Sequence, residues 1–307
     1  MAVKAFGVRK FSKTVLKENL AGYLFAAPWL IGFAVFTVYA IFSAIYYGFA
    51  DYSVLKGPEW IGLENYRNIF TDDKLFGKSL YNTAYYSAFA VPIGIITALL
   101  LAMLLNQKVV ALSWFRAIFY VPSVVPVVAS SLLWIWILNS QFGLLNVFLS
   151  FIGIEGPAWL ASPKWSKPSL IIMNTWGVGG TMIIFLASLQ DVPRQLYEAA
   201  EIDGANVWHR FRYVTIPMIT PTIFFALVMG IIGAFQTFVQ AYIITEGGPA
   251  DSTLFYVLYL YRNAFVYYKM GYASALAMIL FVIVLALTLI IVSTSNRWVY
   301  YETEGKR

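Results

Sequence analysis

Six long stretches of this 307-residue chain contain no aspartate, glutamate, lysine or arginine. Each exceeds the roughly 20 residues that a helix needs to cross the hydrocarbon core of a bilayer. The chain is 12% charged with a mean hydropathy of +0.72, whereas a soluble domain is about 25% charged. The pattern predicts an all-α integral membrane protein with six transmembrane helices, over Asn19–Ala50, Ser79–Gln107, Ala117–Ile154, Pro168–Gln190, Tyr213–Thr245 and Gly271–Asn296.

The positions of lysine and arginine orient these spans. In a six-span count, 13 of the 21 basic residues lie on the side of the two termini, although the loops of the other side are longer. Basic residues near span ends are retained in the cytoplasm, so both termini are expected there. We expect a cytoplasmic segment over 1–18, a transmembrane domain over 19–296 and a cytoplasmic tail over 297–307. The first apolar run is too long for a cleaved signal peptide and indicates an uncleaved anchor.

Several function classes are disfavoured by residue types that the sequence lacks. It contains no cysteine, which removes disulfides and thiolate metal sites. Its one histidine, His209, has no nearby carboxylate pair with which to bind a metal or act as a base. The spans lack the paired ionisable residues of an intramembrane enzyme. We predict no metal site and no cofactor in this chain, and the net charge of +6 reflects orientation rather than a nucleic-acid partner.

A long polar connector joins the fourth and fifth predicted spans, over residues 191–217 on the side of the termini. Its first half is predicted to form a short helix. Asp191 is expected to cap a helix that starts near Pro193, a residue favoured in a first turn. Gly204 suits the left-handed position that ends a helix.

The second half of the connector is predicted to form another short helix. Asn206 is expected to cap it, the helix is expected to reach about Tyr213, and Pro217 is expected to stop the pattern. Two short helices exposed at the membrane face suit a groove in another protein. A plain solvated loop is the alternative, since a helical loop alone proves no function.

The connector also carries an ordered motif. Glu198-Ala199-Ala200 is followed after three residues by Gly204, and after nine more by Val214-Thr215-Ile216-Pro217. This resembles the EAA signature of the permease subunits of bacterial ABC importers, whose usual ending is Ile-x-Leu-Pro. Val214 and Ile216 are conservative departures from that ending. Stretches similar to carbohydrate permeases of the maltose type follow one another at 62–66, 121–122, 143–146, 174–176, 196–205 and 245–249.

The resemblance implies a type I ABC importer permease fold within an assembly of five polypeptides. Its partners would be a second homologous permease, two cytoplasmic ATPases that bind ATP and Mg, and an extracytoplasmic solute-binding protein. The chain has no Gly-x-x-x-x-Gly-Lys-[Ser/Thr] phosphate loop, so it is expected to be a transport subunit rather than an enzyme. The resemblance also implies a multi-pass location in the bacterial cytoplasmic (inner) membrane.

In this family the EAA helix lies in a cleft on the ATPase surface. The matching residues of this chain are therefore expected to couple it to the ATPase, and a helical pair held by a moving subunit would transmit closure to the spans as a rigid-body rotation. These expected coupling residues are Glu198, Ala199, Ala200, Asp203 and Gly204.

A glycine-rich interruption lies near the centre of the fourth predicted span, at 177–180. Irregular backbone at membrane depth persists only where it is buried or lines a cavity, and transport sites often lie at such interruptions. Asn174, Trp176 and Thr181 flank it, and the matching positions of maltose-type permeases contribute to the sugar pocket. An indole offers a flat apolar face to a pyranose ring, and an amide can both donate to and accept from hydroxyls.

Small and polar residues also recur at helical spacing along the fifth predicted span. Amides in a membrane are costly unless they are paired or face water, so Gln236, Thr237 and Gln240 are predicted to line the solute pathway. Gly230 and Gly233 are assigned instead to close helix packing.

Two prolines are predicted to bend the third span, at Pro122 and Pro126. Ser123 lies between them, and similarity to the family places it near the sugar pocket. A serine that satisfies the backbone of a proline-broken turn is an equal alternative.

The uncharged spans favour a neutral di- or oligosaccharide as the solute, because a strongly anionic solute such as glycerol phosphate would need a cation. Uronic-acid sugars stay open, since the companion permease could supply the cation. A monosaccharide and glycerol phosphate are alternatives within the same importer class. A passive membrane scaffold is a further alternative, although it would need neither Gln236 and Gln240 nor a glycine-broken span.

Overall fold

The computed structural model describes residues 13–107 and 110–300. Most of the predicted N-terminal segment, residues 1–12, and most of the predicted tail, residues 301–307, lie outside the described residues. The described helices, in chain order, are α1 Lys13–Phe33, α2 Tyr39–Gly48, α3 Glu64–Thr71, α4 Lys74–Leu105, α5 Leu112–Val124, α6 Val127–Ile137, α7 Leu144–Phe151, α8 Ser166–Trp176, α9 Gly179–Asp191, α10 Arg194–Ile202, α11 Val207–Arg210, α12 Ile216–Met218, α13 Thr220–Phe235, α14 Val239–Ile244, α15 Tyr256–Tyr261 and α16 Met270–Ser295.

Short π-helical segments join several of these helices, at Ala34–Val38, Phe211–Thr215 and Arg262–Val266. The all-α expectation is wrong at one place, where β1 Ala50–Ser53 pairs antiparallel with β2 Lys56–Trp60. The hairpin follows the first predicted span directly and is held there by Asn65. The Asn65 side-chain nitrogen donates to the carbonyl oxygens of Gly48 at 3.1 Å and Ala50 at 3.0 Å.

Four helical stretches are long and apolar enough to cross a membrane, namely Asn19–Gly48, Lys74–Leu105, Thr220–Ile244 and Met270–Ser295. Two pairs of shorter helices pass the same test only when taken together. The pair α5 and α6 is bent by 100°, and the pair α8 and α9 is bent by 49°. The described residues therefore contain four candidate spans, or up to six if each bent pair is one span.

The bends lie where the sequence predicts interruptions. Val125 is extended because Pro126 follows it, and proline disfavours a helical conformation of the preceding residue. Between α8 and α9, Gly177 and Val178 leave the helical conformation. A further break, which the sequence reasoning missed, separates α13 from α14 at residues 236–238.

The unbroken helix α4 organises the interior. Near one end it packs into a cluster with buried residues of α8, α15 and α16, among them Leu170, Tyr256 and Leu276. Near its other end it packs into a second cluster with α9, α13 and the turn before α13, including Phe185 of α9 and Ile219 of that turn. The second cluster lies next to the 191–217 connector, and the first lies at the opposite end of the helix.

The segment 246–270, which joins the fifth and sixth predicted spans, contributes to the first cluster. Residues 254–256 are fully buried. The Asn82 side-chain nitrogen donates to the backbone oxygens of Asp251 (2.8 Å) and Leu254 (3.2 Å), and the Tyr256 amide donates to the Thr83 hydroxyl (2.8 Å). This segment is therefore fastened to α4 by side chains of two consecutive residues.

The close contact of α9 with α5 depends on the absence of a side chain at Gly179. A Cβ atom there would lie 2.5 Å from the Phe119 carbonyl oxygen and 2.9 Å from the Tyr120 Cα, whereas a Cβ at Gly180 would meet nothing within 4 Å. We predict that Gly179→Ala destabilises the protein by about 1–3 kcal/mol through overpacking. Thermal unfolding of the purified protein measures this as a lower melting temperature, with Gly180→Ala as the matched control. Equal melting temperatures for the two variants would contradict the predicted contact.

Candidate functional site

A cavity of about 600 Å³ lies between α4, the α8–α9 pair and the α13–α14 pair, and we call it the main cavity. The breaks after Trp176 and after Phe235 both border it. Its wall combines small residues with a few polar ones. The polar side chains of the wall are those of Tyr86, Asn174, Thr181, Thr237 and Gln240.

A smaller cavity of about 200 Å³, the side pocket, lies against the bend between α5 and α6. It shares four wall residues with the main cavity, namely Tyr86, Asn174, Gly177 and Gln240. The two spaces are therefore neighbours with a common wall. The remaining polar groups of the side pocket come from Ser123, Ser130 and Trp176.

The structure brings six of the seven predicted pathway residues to these two spaces. Asn174 and Gln240 line both, Thr181 and Thr237 line the main cavity, and Ser123 and Trp176 line the side pocket. Gln236 lines neither and is exposed on the isolated chain.

The alternative reading of Ser123 also has support, because its hydroxyl donates to the Tyr120 carbonyl oxygen at 2.7 Å within the proline-containing turn. The packing assignment of the glycines holds for Gly230, where a Cβ would lie 2.9 Å from a Val91 methyl group. At Gly233 a Cβ would meet nothing within 4 Å among the described residues, so its packing role stays a prediction, and both glycines line the main cavity.

The chemistry of both spaces is that of uncharged hydrogen bonding. No Asp, Glu, Lys or Arg belongs to the wall of either one as formed by the described residues. Amide groups donate and accept, and hydroxyls do both, so the walls can match a solute that carries many hydroxyls. The Trp176 ring, 40% exposed, meets Trp134 edge to face at 6.1 Å and keeps a face available for an apolar surface.

Sequence reasoning missed Tyr86, which lines both spaces from α4. Its ring is almost fully buried and packs on Phe255 with centroids 5.0 Å apart, so its position is fixed. A signal was present in the sequence. Tyr86, Ala90 and Gly94 recur every four residues within an uncharged span, which is the spacing of one helix face.

The connector forms two short helices, α10 and α11, but its first boundary differs from the prediction. Asp191 is the last residue of α9 and caps nothing, because Val192 and Pro193 are both extended before α10 begins. Gly204 does end α10 in the left-handed region, at φ +78°. Asn206 does cap α11, since its side chain accepts from the His209 amide at 2.9 Å.

The second boundary also differs. Helical backbone continues beyond Tyr213 through the π-helical segment and α12, and the interruption falls at Ile219. Pro217 therefore does not stop the helix. The Ile216 amide donates a π-helical hydrogen bond to the Phe211 carbonyl, and the backbone stays helical through Pro217.

We call α10 and α11 the helical pair. It contacts the rest of the protein on one side and is exposed on the other, which we call its open side. The Tyr197 hydroxyl lies 3.0 Å from the Thr215 hydroxyl, and Tyr197 and Val214 pack against the second cluster. Glu201 pairs with Arg210 across the two helices. On the open side, Ile202 and Trp208 are 87% and 64% exposed.

The expected coupling residues lie on or beside this open side. Glu198, Ala199, Asp203 and Gly204 are exposed and Ala200 is half-buried. Within the described residues, Glu198 makes no salt bridge. Its carboxylate is thus available to a partner.

Comparison with known proteins adds a family to this geometry. The model of the family described as "Binding-protein-dependent transport system inner membrane component" matches residues 90–299, more than half of the chain. The chain belongs to this family. The matched range includes the main cavity's α8–α9 and α13–α14 walls and the whole helical pair.

Relatives and solved structures align along most of the chain. The probable ABC transporter permease protein YesP of Bacillus subtilis (strain 168) is 42% identical over 299 residues, 96% of each chain. The lactose transport system permease protein LacF of Rhizobium radiobacter is 36% identical, covering 90% of this chain and 95% of LacF. A bacterial alginate ABC transporter, solved with a periplasmic protein bound to an alginate pentasaccharide, contains a chain that superposes with a TM-score of 0.82 at 25% identity. That match covers 94% of this permease and 98% of the solved chain.

Gln236 and Gln240, in the fifth predicted span, allow a matched test of the cavity walls. Gln240 lines both spaces and Gln236 lines neither. We predict that Gln240→Leu slows solute uptake by the complete importer up to about tenfold, the loss expected for one or two hydrogen bonds to the solute. Gln236→Leu is expected to change uptake by less than about twofold. Initial uptake rates in cells with equal membrane levels of the two variants make the comparison, and a larger loss with Gln236→Leu would reverse the assignment.

Proposed function

We propose that this chain forms half of the transmembrane pathway of an ABC importer that takes up a carbohydrate, with a di- or oligosaccharide as the preferred solute. The observation that carries the proposal is the pair of adjoining uncharged cavities at the breaks of the membrane helices. Amides, hydroxyls and an exposed indole face meet there. A sugar presents the complementary groups, namely many hydroxyls and an apolar C–H face.

Size and relatives support a solute larger than one sugar ring. Ligand pockets for small molecules measure about 300–1,000 Å³, and the two adjoining spaces measure about 600 and about 200 Å³. The named relatives transport lactose, a neutral disaccharide, and alginate, an acidic polysaccharide. A monosaccharide or glycerol phosphate is the alternative solute, and the lack of a cation in the cavity walls makes glycerol phosphate the weaker choice. The scaffold alternative leaves the polar cavity unexplained.

The proposal assigns the other steps of transport to partner subunits. A second homologous permease would enclose the pathway, because Asn174 and Gly180 line the main cavity and are exposed on the isolated chain. An extracytoplasmic solute-binding protein would deliver the sugar, in keeping with the family description and with the periplasmic protein of the alginate transporter. Two ATPases would bind ATP and Mg, since this sequence has no phosphate-binding loop, and the chain itself would be a transport subunit rather than an enzyme.

The proposed location is the bacterial cytoplasmic membrane, with six spans and both termini in the cytoplasm. Counting each bent pair as one span gives six within the described residues. The excess of lysine and arginine on the side of the termini supports this orientation. It places the helical pair in the cytoplasm, where an ATPase can reach it, and the first cluster towards the outside.

The fastening of the helical pair suggests how ATPase motion reaches the cavity. An ATPase that moves α10 also moves the second cluster, because Tyr197 is held both by Thr215 and by apolar contacts. That cluster includes Met182 and Phe185 of α9, and the first two turns of the same helix border the main cavity. Packed interiors transmit displacement as rigid bodies, so closure of the ATPases would reposition the cavity wall.

Charge reversal at Glu198 tests this coupling. We predict that Glu198→Lys reduces both uptake and co-purification of the ATPase by tenfold or more, roughly the effect of losing a charged partner at an interface. The matched control is Glu155→Lys, which makes the same change at an exposed position of the opposite side. Unchanged ATPase recovery and uptake with Glu198→Lys would count against the docking role.

Substitution of Gly204 tests the geometry of the turn between the two helices. A Cβ at this position would meet nothing within 4 Å, so the cost of Gly204→Val comes from the left-handed backbone alone. We predict that the variant is inserted normally but loses ATPase-driven uptake, because α10 and α11 change their relative angle. Membrane abundance and uptake, measured together, check this, and normal uptake would show that the turn tolerates the strain.

A further inference from the structure

Lys167 lies at the end of α8 remote from the helical pair, immediately before the uncharged stretch that begins at Pro168. It is seven residues from Asn174, which lines both cavities. Seven residues of helix correspond to about 10 Å. Lys167 therefore lies about two turns from Asn174 and about one turn from Leu170, which lines the side pocket, on a helix that forms the wall of both cavities.

Contacts with α4 hold the lysine in place. Its ammonium group donates to the Asn82 side-chain oxygen at 2.9 Å and lies 5.4 Å and 5.2 Å from the ring centroids of Tyr81 and Tyr85. Asn82 is one turn from Tyr86, another residue that lines both cavities. Two helices that form the cavity walls thus converge on one cation.

This cation has no carboxylate partner among the described residues. The nearby Asp251 is engaged by Lys78, whose ammonium group lies 3.5 Å from the carboxylate and donates to the Ala250 carbonyl at 2.7 Å. An amide oxygen and two ring faces position the ammonium group of Lys167 without neutralising its charge. The site therefore keeps a fixed positive charge that can attract an anion.

Exposed aromatic rings continue from this cation along one side of α4. Tyr81, Tyr85 and Phe89 are spaced four residues apart, with centroid separations of 6.3 Å and 4.8 Å. Tyr81 is 61% exposed and Phe89 is 48% exposed. Their faces can pack against the C–H faces of sugar rings, in the way that aromatic side chains accept other apolar surfaces.

We propose that Lys167, Tyr81 and Tyr85 form an outer subsite for a carboxylate-bearing sugar, so that the solute of the importer is an acidic oligosaccharide. This inference rests on the proposed carbohydrate function and narrows its solute class. The carboxylate pairs with the Lys167 ammonium group, and the sugar ring packs on a tyrosine face. The uncharged cavities below do not hold the anion by charge, which favours its onward release, since a transport site must also let its solute leave.

The test uses the complete importer, with both permeases, the ATPases and the binding protein, reconstituted in proteoliposomes. The probes are trimers of galacturonate and of mannuronate, together with the carboxyl-reduced neutral form of each. We expect uptake of an acidic trimer and an increase of about tenfold in its KM with Lys167→Gln, equivalent to the loss of one charge-assisted contact. Lys167→Arg is expected to keep the KM within about twofold.

Lys164→Gln is the matched control, because Lys164 is an exposed lysine three residues away and the change of charge is the same. Its KM is expected to equal that of the wild type. Should Lys167→Gln fail to assemble, Tyr81→Leu gives the same reading, with a raised KM for the acidic trimer only. An unchanged KM in these variants, or uptake of neutral trimers alone, overturns the acidic subsite and leaves the carbohydrate function standing. Uptake of none of the four trimers overturns the acidic subsite. If the importer also takes up no member of a wider panel of neutral di- and oligosaccharides, the result contradicts the carbohydrate function itself.

Discussion

Every peptide group of a chain in the bilayer core must find a hydrogen-bond partner within the protein or in a water-filled space. This requirement gives the fold its shape, because helix breaks are tolerated at membrane depth only where they border a cavity. The breaks at Val125–Pro126, at Gly177–Val178 and at 236–238 lie in three different candidate spans, if each bent pair is counted as one span. All three border one or both of the adjoining polar spaces. The interruptions and the cavities are therefore two aspects of one constraint.

The same constraint separates charge from the cavities. A lysine in the wall of the main cavity would be costly to desolvate, and the wall formed by the described residues contains none. Cations are found instead at the ends of the helices, as with Lys78 and Lys167 on one side and Arg210 on the other. The charged groups at the helix ends and the uncharged hydrogen-bonding groups of the cavity walls therefore lie at different depths. The acidic oligosaccharide that we propose as the solute would meet them one after the other.

Much of this arrangement could be predicted from composition and spacing. The apolar stretches indicated the helices, the prolines and glycines indicated two of the three breaks, and Gly204 and Asn206 took the backbone roles expected of them. The failures have two causes: local backbone geometry overrode the expected cap and stop residues, and tertiary contacts determined which segments are buried. Asp191 does not cap α10, because two extended residues separate it from that helix. Pro217 does not end the helix, because a π-helical hydrogen bond forms just before it. The burial of 254–256 depends on Asn82 and Thr83, more than 170 residues away in sequence, so no local pattern reports it.

The unbroken helix α4 is 32 residues long, or about 48 Å. Near one end, Asn82 and Thr83 bind the 246–270 segment by hydrogen bonds. The other end packs into the second cluster, next to the helical pair. The helical conformation continues through Pro92, so one continuous element joins the two ends. We expect a displacement applied at one end to reach the other, because packed interiors move as rigid bodies. The two ends of the protein therefore share one mechanical element.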